Sequence, residues 1–105
     1  MHPVASLDVS PPTATVLVRG ELDLVTARAM RDAVMRSPDA GCSHITIDLS
    51  QVSFMDCAGL NALLWCREWV TASGHRFTVG PVSAQAARLF RLTGLYAHFL
   101  GSTTS

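Results

Sequence analysis

The stretch from His44 to Ala72, HITIDLSQVSFMDCAGLNALLWCREWVTA, passes from one periodicity to another, and the fold turns on that change. His44 to Leu49 alternates polar and apolar residues in the way of a half-buried strand. Ser50 to Ser53 reads as a turn leading to Phe54 and Met55. Asp56-Cys57-Ala58-Gly59 follows, and the apolar run from Leu60 to Ala72 is too long for a strand and reads as a helix. A carboxylate placed just before that helix would accept hydrogen bonds from its first free amides, so Asp56 is expected to be its N-cap.

Outward from this unit the same grammar repeats. Residues 4–9 and 14–20, VASLDV and ATVLVRG, are two β-rich runs separated by Ser10, Pro11 and Pro12, which a helix could not cross, and they predict an antiparallel opening pair. After ELDL, the spacing of Ala29, Met30, Ala33 and Val34 predicts a helix to Arg36 with Thr26 as its N-cap. Residues 37–41 break it. Beyond the central helix, Ser73 and Gly74 form a stop and Arg76 to Val79 a short strand. Gly80-Pro81 reads as a turn, and Ser83 is expected to cap a helix running to about Leu92, stopped by Thr93-Gly94. Tyr96 to Leu100 reads as a last strand, and GSTTS as a frayed end. Strands alternating with helices predict a single α/β domain over 1–105: a mixed, largely parallel sheet with an antiparallel edge, packed with helices.

Composition narrows the function. Among 105 residues, 8 acidic side chains balance 8 basic ones, all of them Arg, and 15% of residues are charged against a usual ~25%. A neutral chain lacks the excess positive charge that draws nucleic acid or an anionic membrane surface, so neither is expected as a partner. Without lysine there is no P-loop and no Schiff-base chemistry. The apolar stretches are too short to span a bilayer, and the first residues lack a signal-peptide pattern, so a cytoplasmic location is expected. Cys42, Cys57 and Cys66 match neither a CxxC pair nor a zinc-ligand pattern, and the histidines lack metal-binding spacing; no cofactor or metal is expected.

An enzymatic reading would rest on Cys57, because a helix N-terminus lowers a thiol pKa. Asp56 beside it works in the opposite direction, and a base would have to come from His44, His75 or His98 by folding. The plainer reading makes Cys57 a small buried hydrophobe.

The central helix is apolar on two sides. Leu60, Leu63, Leu64 and Val70 form one side, with Arg67 among them, while Ala58, Ala62, Trp65 and Trp69 run down the other. If the leucine side packs on the sheet, Trp65 and Trp69 face outward as anchors for a partner protein; alternatively both sides are covered and the tryptophans are core.

The order of these elements, with Val18-Arg19-Gly20-Glu21-Leu22-Asp23, Ile47-Asp48-Leu49-Ser50-Gln51-Val52, Phe54-Met55-Asp56-Cys57-Ala58-Gly59-Leu60 and Leu92-Thr93-Gly94-Leu95, resembles a bacterial STAS domain of the anti-sigma factor antagonist type over nearly the whole chain. The resemblance implies a small cytoplasmic regulator that binds an anti-sigma factor, often a serine kinase of the histidine-kinase-like ATPase fold, and so frees a sigma factor for transcription. In that family the kinase reverses binding by phosphorylating a serine in an Asp-Ser-Ser-Gly or similar motif at the start of the second helix. By this resemblance Asp23, Asp56, Cys57, Ala58 and Gly59 belong to the partner-binding surface, joined by Trp65 and Trp69.

The chain departs from the family twice. The phosphate-bearing position is Ala58, which has no hydroxyl, and Cys57 replaces the other common serine, so the resemblance implies a permanently binding-competent antagonist. Ser50, Ser53 and Thr26 are the nearby hydroxyls. The family's last helix is also missing from the reading, which adds a homodimer to the expectations. Two further classes stand beside the antagonist: a non-phosphorylated STAS scaffold subunit in a larger regulatory or transport complex, and a thiol enzyme or redox sensor using Cys57.

Overall fold

The structure, a computed structural model, describes residues 4–95 and Phe99. Strands β1 (Ala5–Ser10) and β2 (Thr13–Leu22) open the chain. Helix α1 (Ala27–Arg36), a short 3-10 turn (Pro38–Ala40), strand β3 (His44–Met55), helix α2 (Cys57–Ala72), strand β4 (Arg76–Val82) and helix α3 (Ala84–Thr93) follow. The sheet runs β1-β2-β3-β4; β1 is antiparallel to β2, and the other two pairings are parallel. This is the mixed, largely parallel α/β architecture that the alternation of periods predicts.

Alternation within the strands decides the layering. Val16 and Val18 of β2, Ile45, Ile47 and Leu49 of β3 and Val79 of β4 are buried with Met30 and Val34 of α1, Leu63 and Val70 of α2, and Phe90 of α3. On the other face Thr15, Thr46 and Thr78 are register partners across three strands and stay half-buried. With the smallest extent of the molecule at 19 Å, one layer of helix on one layer of sheet accounts for the thickness.

The predicted turn at Ser50 to Ser53 is not a turn. The register steps from Leu17↔Asp48 to Arg19↔Gln51, and again from Gly20↔Val52 to Glu21↔Phe54, so β3 carries two extra residues against β2. These are bulges: the polar residues that break the alternation are pushed outward, while Val52 and Met55 remain buried and the strand continues. Gly80-Pro81 is likewise absorbed, with a register step between Ile47↔Val79 and Leu49↔Val82. Pro81 lacks an N–H but is tolerated because β4 pairs only with β3 among the described residues.

Thr26 occupies the N-cap position of α1 but makes no side-chain cap bond. Its hydroxyl donates to the Glu21 carbonyl at 2.7 Å, and the amides of Val25 and Thr26 instead donate to Asp23 Oδ1, both at 3.0 Å. Ser83 caps α3 as expected, accepting from the Ala86 amide at 3.1 Å, and Gly94 ends that helix in the left-handed region. Of the expected last strand, residues 96–98 and 100 lie outside the described residues, as does the GSTTS end. At Phe99 the chain is helical rather than extended: its amide donates to the Leu95 carbonyl at 3.2 Å, and its ring packs on Phe90 with centroids 5.3 Å apart.

Candidate functional site

Parallel pairing brings the C-terminal ends of β2 and β3 side by side, with Leu22 opposite Met55. Each strand is followed at once by an aspartate, Asp23 and Asp56, so two carboxylates far apart in sequence start neighbouring loops at one edge of the domain. Asp56 has extended backbone geometry, and its Oδ1 accepts from the Gly59 amide at 3.0 Å, which makes it the N-cap of α2. Such a cap is worth ~1 kcal/mol.

Asp23 is held more tightly. The Thr26 amide and hydroxyl hold its carboxyl below its ordinary value near 3.8; desolvation opposes them, and the Val25 amide adds a smaller lowering effect. The same Thr26 hydroxyl accepts from the Asp23 amide at 2.9 Å. These bonds organise the loop so that Leu24 and Val25, 77% and 81% exposed, project from it.

Gly59 explains how the two loops come so close. A methyl built on it would collide with the Leu22 carbonyl oxygen and stand 3.0 Å from Leu22 Cγ. The Asp56 amide donates to that same carbonyl at 3.4 Å. The glycine is therefore required by close approach of α2 to the end of β2, not by a positive φ.

Along α2 the leucine side faces the sheet: Leu60, Leu63 and Val70 are buried, and Leu64 packs against the core. Arg67 is half-buried among them. The tryptophans fall between the two alternatives. Trp65 is 37% exposed and Trp69 half-buried, packed against the core, with their rings stacked at 6.3 Å and 13°. The Arg31 guanidinium of α1 lies 5.4 Å from the Trp65 ring centre. Between the helices a cleft of about 310 Å³ opens, lined by Leu24, Ala27, Arg31, Asn61, Ala62 and Trp65, with Ala58 at the α2 N-terminus.

Of the residues singled out in the sequence, Ala58 and Trp65 line this cleft; Asp23 and Asp56 start the two loops beside each other, Cys57 is exposed, Gly59 is buried against Leu22, and Trp69 stacks on Trp65 one turn farther along α2. Leu24, Val25 and Arg31 are additions. The first two carried a signal, an apolar pair in a loop; Arg31 carried none, because nothing in the sequence placed it over an indole.

Cys57 is exposed rather than a buried hydrophobe; Cys42 and Cys66 are the buried thiols. Burial pushes the Cys66 thiol up to about 12, with Arg31 opposing weakly. No described histidine lies near Cys57. His44 starts β3 and hydrogen-bonds Thr78 at 2.7 Å, at the opposite end of the strand that leads to Cys57. His75 follows α2, whose 16 residues separate it from Cys57 by about 24 Å. His98 lies outside the described residues. Among the described residues no three His, Cys, Asp or Glu side chains cluster in a way that could hold a metal, and no helix is long and apolar enough to cross a membrane.

The family model described as Mlab, STAS domain, matches residues 5–101. An anti-sigma-B factor antagonist of Staphylococcus aureus is 30% identical over 80 residues, covering 76% of this chain and 74% of that protein. The crystal structure of an anti-sigma factor antagonist from Mycobacterium paratuberculosis superposes with a TM-score of 0.77 at 29% identity, covering 91% of this chain and 81% of the other. The anti-sigma factor antagonist SpoIIAA in its unphosphorylated form gives 0.75 at 20% identity over 91% and 85% of the two chains, a likeness of fold.

Proposed function

The chain belongs to the STAS domain family, and on that premise we propose that it is an anti-sigma factor antagonist whose activity is binding rather than catalysis. The observation that carries this reading is the convergence of the Asp23 loop, the Asp56 to Gly59 turn and the exposed edge of Trp65 around one apolar cleft. Its partner is an anti-sigma factor, in the family often a serine kinase, and docking on this face releases a sigma factor.

The exposed part of Trp65 is one contribution to affinity and does not suffice by itself. With 37% of the side chain open, roughly 90 Å² remains to be covered, worth about 2 kcal/mol of apolar burial. Leu24 and Val25 extend the apolar ledge, and an aromatic beside them is the usual composition of an energetic centre in an interface.

Control differs from that of family members carrying a serine. A phosphate at the α2 N-terminus would add about two negative charges beside Asp56 and be tolerated by the helix, so its effect would fall on docking. Ala58 offers no hydroxyl for it, which makes this chain a constitutive binder at that position. Ser50 and Ser53 are exposed in the β3 bulges, whereas the Thr26 hydroxyl is engaged with Glu21 and Asp23.

The test mixes the protein with candidate anti-sigma kinases and ATP, measuring complex formation and phosphate incorporation together. Binding without incorporation is expected, and Ala58→Asp and Trp65→Ala should each weaken the complex by about tenfold or more. Unchanged affinity for both variants would refute this placement of the surface. The missing hydroxyl also suits a second reading, a non-phosphorylated scaffold subunit in a larger regulatory or transport assembly. Native mass spectrometry separates the two, since a stable higher oligomer of the purified chain favours the scaffold.

A further inference from the structure

We propose that the cleft between α1 and α2 is the seat of a partner segment that carries an aliphatic side chain next to a carboxylate, the side chain filling the cleft and the carboxylate closing on Arg31. The inference rests on the reading of this face as the docking surface and adds the chemistry of what docks there.

The lining sets the first half of that chemistry. Leu24, Ala27, Ala62 and Trp65 present apolar atoms, and Asn61 is the uncharged polar side chain. At about 310 Å³ the cleft is at the bottom of the range of roughly 300–1,000 Å³ found for small-molecule pockets. It suits an inserted aliphatic side chain better than a cofactor.

Arg31 sets the second half. It is half-buried, lies over Trp65, and has no carboxylate partner among the described residues. A cation–π contact uses the charge of a guanidinium and leaves its N–H donors available. Neither aspartate that starts the neighbouring loops pairs with Arg31: Asp23 Oδ1 accepts from the Val25 and Thr26 amides and Asp56 Oδ1 from Gly59. An uncompensated guanidinium at the rim of an apolar cleft is complementary to an anion arriving with apolar surface, and a carboxylate matches its fork in two parallel hydrogen bonds.

The geometry is also prepared in advance. Trp65 contacts both the Arg31 guanidinium and the stacked Trp69 ring, so the wall and the charge are ordered before a partner arrives, which lowers the entropy lost on binding. Arg31 is a specificity residue in this scheme: it selects the sign of the partner, while the cleft selects shape.

Three short helical peptides form the probe. Each presents a leucine, and four residues on, along the same face, a glutamate, a glutamine or a lysine. The chain has two tryptophans, so its indole N–H signals in an NMR titration are assigned by Trp65→Phe and Trp69→Phe. The glutamate peptide should shift the Trp65 signal and bind about tenfold tighter than the glutamine peptide, with the lysine peptide weakest. Arg31→Gln should erase that ranking with the fold intact by circular dichroism. Equal affinities for the three peptides, or a Trp65 signal that none of them moves, would overturn the inference. The anti-sigma complex supplies the separate check. If it forms and is insensitive to Arg31→Gln, the inference fails and the antagonist reading stands. If the peptides rank as stated and no anti-sigma factor binds, the cleft chemistry stands and the antagonist reading fails.

Discussion

Gly59→Ala is the substitution that most directly probes how the site is built. In an exposed helix the change would stabilise, since alanine is the better helix former by about 1 kcal/mol. Here the added methyl would run into the Leu22 carbonyl oxygen and stand 3.0 and 3.1 Å from Leu22 Cγ and the carbonyl carbon. Leu22 is fully buried, so it has nowhere to move, and α2 must retreat instead. Overpacking of this kind costs about 3 kcal/mol, and losing the Asp56 amide bond to Leu22 adds about 1; after the propensity gain the net loss is roughly 3 kcal/mol. For a chain of this length that lowers Tm by roughly 10–20 °C. Urea unfolding followed by circular dichroism measures the loss directly, and Ala58→Ser, which adds an oxygen one residue away at a side chain lining the cleft, serves as the control. A Gly59→Ala protein as stable as its parent would refute the claim that close approach of α2 to β2 dictates glycine.

Two further outcomes concern titrating groups. The hydrogen bonds to Asp23 lower its pKa in the folded state, so their contribution is full above the unfolded value near 3.8 and is lost as the pH falls through the lower folded value. The stability gap between the parent and Asp23→Asn should therefore narrow below pH 4 in urea titrations, and a constant gap would contradict the bonding described. Cys66 moves the other way, from 9.0 to about 12 on burial. The stability attached to its neutral form is complete below pH 9 and drains between pH 9 and 12, a loss that Cys66→Ala should remove. A thiol reagent near pH 8 should label one cysteine per folded chain, Cys57, and all three only after unfolding; rapid labelling of Cys42 or Cys66 in the folded protein would count against their burial.

Much of the fold was legible because local signals and tertiary packing agree. The alternation of His44 to Leu49 met a buried sheet face, and Asp56 and Ser83 were readable as caps because a cap is a property of four consecutive residues. The misread places are those where two chain segments negotiate. Ser50 to Ser53 and Gly80-Pro81 carry turn-like composition, yet neighbouring strands pull them into bulges. Thr26 gave up the cap to Asp23 because the carbonyl of Glu21 offered its hydroxyl a partner that sequence distance conceals.

The sequence by itself determined the class of fold, the positions of the two aspartates and the glycine, and the absence of a hydroxyl at Ala58. These follow from residue identity and periodicity, which act over one or two turns of chain. Only the tertiary structure decided that Asp23 and Asp56 open onto one face, that Cys57 is exposed while Cys66 is buried, and that Arg31 rests on Trp65. Parallel pairing of β2 with β3 sets the first, and the close approach of α1 and α2 sets the last, because contacts between residues more than thirty positions apart exist only once the sheet has fixed where the helices lie.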